Sequence, residues 1–372
     1  MSFIAVDPAT GERIAEVPFE SSTSVEQKIA AAHAAHLEWR LQSIEDRIQP
    51  LLEIGRLLRE RKDDYGALMT REMGKPISQG VAEAAKCAWV CDYYAEQASG
   101  LLAPVDAPTD GTASYWTYRP LGIVLGIMPW NFPFWQVIRF ATPALTAGNA
   151  ALLKHAPCVP GCAAALEQLF HDAGYPEGLF ANLFIGVDTA GDLIDDPRVR
   201  AVSLTGSVQA GRAVAARAGA AIKPCVLELG GSDPSVVLAD ADLDAAAKSC
   251  AMGRLINTGQ SCVAAKRFVV VESVRDAFEE KLVEAMNDWA VGDPANPDTA
   301  IGPMAREDLR DTLHDQVSRS VSEGARLVIG GELPGRDGAW YPTTILSDVE
   351  PGMAAYSEEL FGPVATVISA KD

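Results

Sequence analysis

The segment Asn257-Thr258-Gly259-Gln260-Ser261-Cys262 sets a cysteine behind small and polar residues at the end of a predicted helix. A thiol so placed is reachable from a cleft. Its thiolate attacks carbonyl carbon well, and its pKa falls near helix termini or positive charge. A lone cysteine is more often core packing, so the case depends on companions. Met128-Pro129-Trp130-Asn131-Phe132-Pro133 holds an asparagine between prolines and aromatics. That stiff backbone suits an amide that donates to an oxyanion, although a simple turn asparagine would read the same way.

Two further segments add an acid and a turn. In Leu227-Glu228-Leu229-Gly230-Gly231, Glu228 lies at an apolar strand end beside a glycine pair that admits a ligand or another backbone. A carboxylate enclosed there should have a raised pKa and could act as a general base, the alternative being a structural ion pair. In Leu204-Thr205-Gly206-Ser207-Val208-Gln209-Ala210-Gly211 a strand enters a tight turn and then a helix. Backbone N–H groups at such a helix start suit a phosphate, but the three-glycine dinucleotide fingerprint is absent.

These groups need elements to hold them. Phe3 to Phe19 reads as two short strands around Asp7-Pro8-Ala9-Thr10-Gly11. Thr23 and Glu26 suggest a capping box for a helix running to about Trp39. Helical patterns follow at Leu51–Arg61, Asp63–Glu72 and Ser78–Ser99. Ser114–Arg119 and Gly122–Met128 read as an extended pair broken at Pro120. Beyond it, strands at Ala150–Leu153, Ala181–Ile185 and Ala201–Leu204 alternate with helices near Trp135–Leu145, Cys162–His171 and Val208–Ala218. A second alternating series starts after Gly231 and ends at Val364–Ile368. Alternation of this kind predicts an α/β protein with doubly wound parallel sheets.

Composition narrows the partners. A length of 372 residues suggests two or three domains, and 48% hydrophobic residues are ample for their cores. A net charge of −19 argues against nucleic acid and anionic membranes, and it requires a local cation for any acidic substrate. No stretch has the length of a membrane span or the form of a signal peptide, so the expected setting is the cytoplasm. Seven scattered cysteines fit reduced thiols. Cys87/Cys91 and Cys158/Cys162, each four apart, have no histidine pair near them, so no metal site is expected.

Taken in order, Pro-Trp-Asn-Phe-Pro at 129–133, Thr-Gly-Ser at 205–207, Glu-Leu-Gly-Gly at 228–231, Gly-Gln-Ser-Cys at 259–262 and Glu-Glu-Leu-Phe-Gly-Pro at 358–363 resemble the aldehyde dehydrogenase superfamily over nearly the whole chain. The resemblance implies two Rossmann-like domains and a protruding oligomerisation hairpin. Residues 1–110 and 129–230 would bind the dinucleotide, 111–128 would form the hairpin, and 231–372 would form the catalytic domain. It implies oxidation of an aldehyde to a carboxylic acid through a thiohemiacetal and a thioester on Cys262. Asn131 and the Cys262 N–H would hold the oxyanion, and Glu228 would activate water. NAD or NADP would be held by Trp130, Lys154, Gly206, Ser207, Gly230, Glu359 and Phe361. A homodimer or homotetramer follows by the same resemblance.

Within the superfamily the wording is most similar to bacterial succinate-semialdehyde dehydrogenases. Arg139 matches an arginine that pairs with the distal carboxylate of that substrate, and Trp135 would line the same pocket. Two departures leave alternatives open. Ile256 stands where many relatives have a second substrate arginine, which suits a longer or less polar semialdehyde or another aldehyde. Pro157 stands where NAD-preferring members carry an acid, so dual use of NAD and NADP is expected. Relatives also continue past Asp372. The chain is therefore expected to be C-terminally truncated, with a catalytically silent dinucleotide-binding protein as the rival reading.

Overall fold

The computed structural model describes all 372 residues. They gather into two compact units. One comprises Met1–Ala5, Ala15–Leu68 and Val81–Leu229, the other Val6–Ile14, Met69–Gly80 and Gly230–Asp372.

The chain opens with β1 (Ser2–Val6) and β2 (Arg13–Pro18), which pair as a two-stranded sheet. Four helices follow: α1 (Ser22–Trp39), α2 (Ile44–Glu60), α3 (Lys62–Met73) and α4 (Ile77–Leu101). Two starts differ from the sequence expectation. The cap of α1 is Ser21, whose hydroxyl accepts from the Ser24 N–H at 3.2 Å, and Glu26 is drawn off by Arg198. The run Ser21-Ser22-Thr23-Ser24 offers several caps, and the earliest extends the helix furthest. Helix α2 begins seven residues before Leu51, capped by Ser43, and absorbs Pro50 at the loss of one internal hydrogen bond.

The segment 111–128 does not form one hairpin. Tyr115–Trp116 (β4) pairs antiparallel with Val105–Asp106 (β3), and both are exposed. Residues Ile123–Ile127 (β5) instead enter the interior of the main sheet. Every residue of β5 up to Gly126 is buried, as expected of an apolar strand covered on both faces. Gly126 leaves room for the Phe140 ring, which a Cβ would overlap.

That sheet continues with α5 (Trp135–Thr146), β6 (Ala150–Lys154), α6 (Pro160–Asp172), β7 (Phe180–Asn182), α7 (Val187–Asp195), β8 (Val199–Gly206), α8 (Val208–Ala220) and β9 (Cys225–Leu229). Its order is β7-β6-β5-β8-β9, parallel throughout. Strand order runs outward from β5 in one direction and then, from β8, in the other. A crevice therefore opens at the carboxyl ends of β5 and β8, where doubly wound folds bind their ligands.

The second unit contains β10 (Pro234–Val237), α9 (Leu243–Leu255), β11 (Arg267–Val271), α10 (Arg275–Asn287), α11 (Glu307–Ser322), β12 (Arg326–Ile329), β13 (Thr344–Ser347), α12 (Ala354–Ser357) and β14 (Val364–Ala370). Its sheet runs β10-β11-β14-β13-β12, with only β12 antiparallel. Phe268, Phe278, Leu255, Leu282, Ile345 and Val367 form its buried core. No helix in either unit is long and apolar enough to cross a membrane.

The entry to α5 is held from another helix. Its capping position, Phe134, supplies no side-chain acceptor. The buried Glu83 of α4 takes that role, accepting from the Phe134 and Trp135 N–H groups, both at 2.9 Å. A carboxylate at this end also suits the helix dipole. Removing it in Glu83→Ala leaves one buried and one part-buried N–H group without this acceptor and should cost about 2 kcal/mol in urea unfolding. Glu83→Gln, which keeps an acceptor, should lose less than half as much.

Candidate active site

Helix α9 ends in an unusual turn. Asn257, Thr258 and Gly259 follow one another in the left-handed region, with φ of 59°, 55° and 72°. For the two residues with side chains this costs roughly 1–2 kcal/mol each. Neighbours offset it. The Asn257 N–H donates to Gln79 Oε1 at 2.7 Å, Gly302 N–H donates to the Thr258 hydroxyl at 3.2 Å, and Ala305 N–H donates to Gln260 Oε1 at 2.9 Å. Gly259 is required twice over, since a Cβ there would also run into the Gly362 carbonyl. The turn delivers Cys262 half-buried, between buried Ser261 and Val263, which is 80% exposed.

Two buried cations hold this loop. Arg254 is fully buried and its Nη2 donates to the carbonyls of Gly259 at 2.5 Å, Gly362 at 2.6 Å and Leu360 at 3.3 Å. Burial pulls its guanidinium below the usual value, against the attraction of Glu359. Lys266, also buried, donates to the carbonyls of Ser261 at 3.1 Å, Cys262 at 3.0 Å and Ala264 at 3.2 Å. Its Nζ pairs with Glu359 Oε1 at 3.0 Å. Burial lowers the ammonium's pKa too, and Glu359 works in the opposite sense. The Glu359 carboxylate fills the space that a Cβ on Gly230 would occupy. Gly230, Cys262, Glu359 and half-buried Phe361 are thus carried by the second unit, the first three around one buried ammonium. Sequence reasoning missed Arg254 and Lys266. Their only signal was a cation at the apolar end of α9 and another four residues after the thiol.

The other predicted residues belong to the first unit and cluster at the carboxyl ends of its strands. Trp130 and Asn131 follow β5, Lys154 ends β6, Gly206 ends β8, and Ser207 caps α8 by accepting from the Ala210 N–H at 3.2 Å. Asn131 is buried and Trp130 half-buried. The Lys154 ammonium is buried, lies 5.9 Å from the Phe3 ring centroid and pairs with no carboxylate; burial lowers its pKa. A buried ammonium at the carboxyl end of a strand next to the switch point suits sugar hydroxyls and phosphates.

The asparagine loop is tied to β6 by His155, a residue to which the motifs alone assign no role. Fully buried His155 lies with Nε2 3.0 Å from the Pro133 carbonyl, while Ala156 N–H donates to Nδ1 at 2.8 Å. One ring nitrogen donates and the other accepts, so the ring is neutral.

Glu228 is not enclosed as the sequence suggested. Strand β9 is the edge of its sheet, and the carboxyl group is 51% exposed. It faces Arg139, whose Nη2 is 3.7 Å from Glu228 Oε2. The structure thus joins a predicted base to a predicted substrate cation. Trp135 stands one helical turn before Arg139 on α5, with Lys86 Nζ 3.9 Å from its ring centroid.

A doubly wound sheet with a phosphate-suited switch point, in a chain that also presents a thiol on a charge-braced loop, defines a dinucleotide-dependent enzyme of the thiol type. The sequence pattern of the aldehyde dehydrogenase family matches residues 2–372, and the chain belongs to that family. It is 48% identical over 369 residues to the NAD(P)+ succinate semialdehyde dehydrogenase Sad of Escherichia coli (strain K12), covering 99% of this chain and 80% of that one. It is 46% identical over 365 residues to a probable NADP+ succinate-semialdehyde dehydrogenase of Synechocystis, covering 98% and 80%. The solved succinic semialdehyde dehydrogenase of Streptococcus pyogenes, in complex with NADP+, superposes with a TM-score of 0.97 at 33% identity, covering 100% of this chain and 82% of that one.

His155 makes stability pH-dependent in a defined window. Burial pushes its pKa down to about 4, from an ordinary value near 6.5. The unfolded chain takes up this proton first, so the stability of the neutral ring is complete above about pH 6.5 and is lost as pH falls toward 4. The expected slope is about 1.4 kcal/mol per pH unit for this one group. His155→Gln should show a shallower fall between those pH values in urea unfolding. An identical slope in both proteins would remove His155 as the cause.

Proposed function

We propose that this chain oxidises succinate semialdehyde to succinate with NAD or NADP, using Cys262 as nucleophile. The observation that carries the reading is the thiol loop, which presents a half-buried cysteine on a backbone gripped by Arg254 and Lys266. The similarity to succinate-semialdehyde dehydrogenases over almost the whole chain supports the substrate.

Cys262 Sγ bonds to the aldehyde carbon, and the carbonyl electron pair moves to oxygen. The Asn131 amide and the Cys262 N–H stabilise that oxyanion of the thiohemiacetal. A nicotinamide ring, when bound, supplies the hydride acceptor. Glu228 takes a proton from the water that cleaves the resulting thioester, releasing the acid and the thiol. Its exposure leaves it room to reach a water, and its pairing with Arg139 is weak: exposed pairs contribute about 0–1 kcal/mol.

By the family resemblance, Trp130, Lys154, Gly206 and Ser207 would bind the dinucleotide, with Gly230, Glu359 and Phe361 assigned to its nicotinamide riboside. Pro157, exposed three residues after Lys154, brings no acid to repel a 2′-phosphate, which supports use of both cofactors. Arg139 would exchange its loose partner for the distal carboxylate of the substrate, a charged hydrogen bond worth about 1.5–3 kcal/mol. Ile256, 42% exposed after α9, supports a second reading in which a longer semialdehyde is preferred.

We further infer a homodimer or homotetramer joined through the β3–β4 hairpin, whose Tyr115, Trp116 and Tyr118 are exposed. A cytoplasmic setting agrees with seven cysteines that form no disulfide.

Formation of reduced nicotinamide with succinate semialdehyde and with butanal tests the reading. Cys262→Ala should lower oxidation at least about a thousandfold while dinucleotide binding persists. An unchanged rate would overturn the mechanism. Arg139→Gln should reduce kcat/KM for succinate semialdehyde about 30-fold and leave butanal within about threefold. Equal losses for both aldehydes would remove Arg139 from carboxylate recognition.

A further inference from the structure

In the mechanism above Lys266 grips the nucleophile loop through three backbone carbonyls but takes part in no chemical step. We propose that Lys266 is a positioning residue that aims the Cys262 N–H as an oxyanion donor; this rests on the reading of Cys262 as nucleophile.

The geometry follows from the peptide plane. A trans peptide points its C=O and N–H in opposite directions. The Ser261 carbonyl and the Cys262 N–H share one such unit, and Lys266 Nζ holds that carbonyl at 3.1 Å. The N–H is thereby turned away from the ammonium. Holding the Cys262 carbonyl at 3.0 Å and the Ala264 carbonyl at 3.2 Å fixes the following units in the same way. Lys266 is itself anchored. Its N–H donates to the Asp233 carbonyl at 3.1 Å, and its carbonyl accepts from the Thr366 hydroxyl at 2.8 Å, so the loop is referenced to the strands on either side. Glu359 balances the charge from 3.0 Å without touching the loop carbonyls.

Two reactions of the thiol separate aim from reactivity, and neither needs a dinucleotide. Acylation by p-nitrophenyl acetate passes through an oxyanion. Alkylation by iodoacetamide displaces iodide and does not. Both are measured at the alkaline plateau of their pH profiles, with thermal unfolding as the folding control. Lys266→Met, which offers no donor, should slow acylation about 50-fold and leave alkylation within about twofold. Lys266→Gln, with two donors for three carbonyls, should slow acylation about fivefold with alkylation again unchanged. If the methionine variant does not fold, the glutamine variant decides alone. Unchanged acylation, or alkylation that falls in step with it, would overturn the assignment. Cys262→Ala is the control for the underlying reading. If it retains both reactions, or if the unaltered chain is not acylated, the nucleophile reading fails and this inference fails with it.

Discussion

The second unit depends on two cations that give their hydrogen bonds mostly to backbone carbonyls. Arg254 and Lys266 together hold six carbonyl oxygens, drawn from residues 259–264 and 360–362. Only one acid, Glu359, stands among them. Burying a cation is costly unless its donors are met; the loop carbonyls meet the Lys266 ammonium, whereas Arg254 is met at Nη2 alone and its Nε and Nη1 stay unsatisfied. The left-handed turn at 257–259 and this second cation meet at Gly259, whose carbonyl accepts from Arg254 Nη2.

The first unit solves a different problem with the same economy. Parallel pairing around β5 and β8 puts the ends of several strands in one place, and the side chains there come from residues far apart in sequence. Loops at such ends need external ties, since they lack a ladder of their own. Glu83 supplies one at the start of α5 and His155 another at Pro133. Both ties are buried, and a buried acceptor or neutral imidazole is more directional than an exposed ion pair. Arg139 and Glu228 show the contrast: half-exposed and 3.7 Å apart, they are loosely joined and able to change partners.

Much of this was legible in the amino-acid order. The alternation of apolar strands with amphipathic helices identified both sheets, because a strand covered on two faces needs a continuous apolar run, as in Ile123–Ile127. The segments around Asn131, Ser207, Glu228 and Cys262 were conspicuous because residue types with reactive or donor groups lay beside Gly and Pro. Helix starts were less legible. Several caps compete in Ser21–Ser24, and tertiary packing carried α2 through Pro50. The hairpin boundary failed for a related reason: Tyr115–Trp116 and Ile123–Ile127 share strand propensity, and only the choice of neighbours separates them.

The sequence by itself determined the fold class, the family and the thiol proposed as nucleophile, since these rest on periodicity and on short motifs read along the chain. Tertiary structure alone decided which charges meet. Lys266 with Glu359, Glu83 with α5, and Arg139 with Glu228 are separated by tens of residues and have no periodic signature. Burial also had to come from the folded chain. Glu228 and Lys266 both lie at strand ends, yet one faces solvent from an edge strand and the other is enclosed beside an interior strand. The dielectric around a charge is set by everything packed against it, and that depends on all the elements at once.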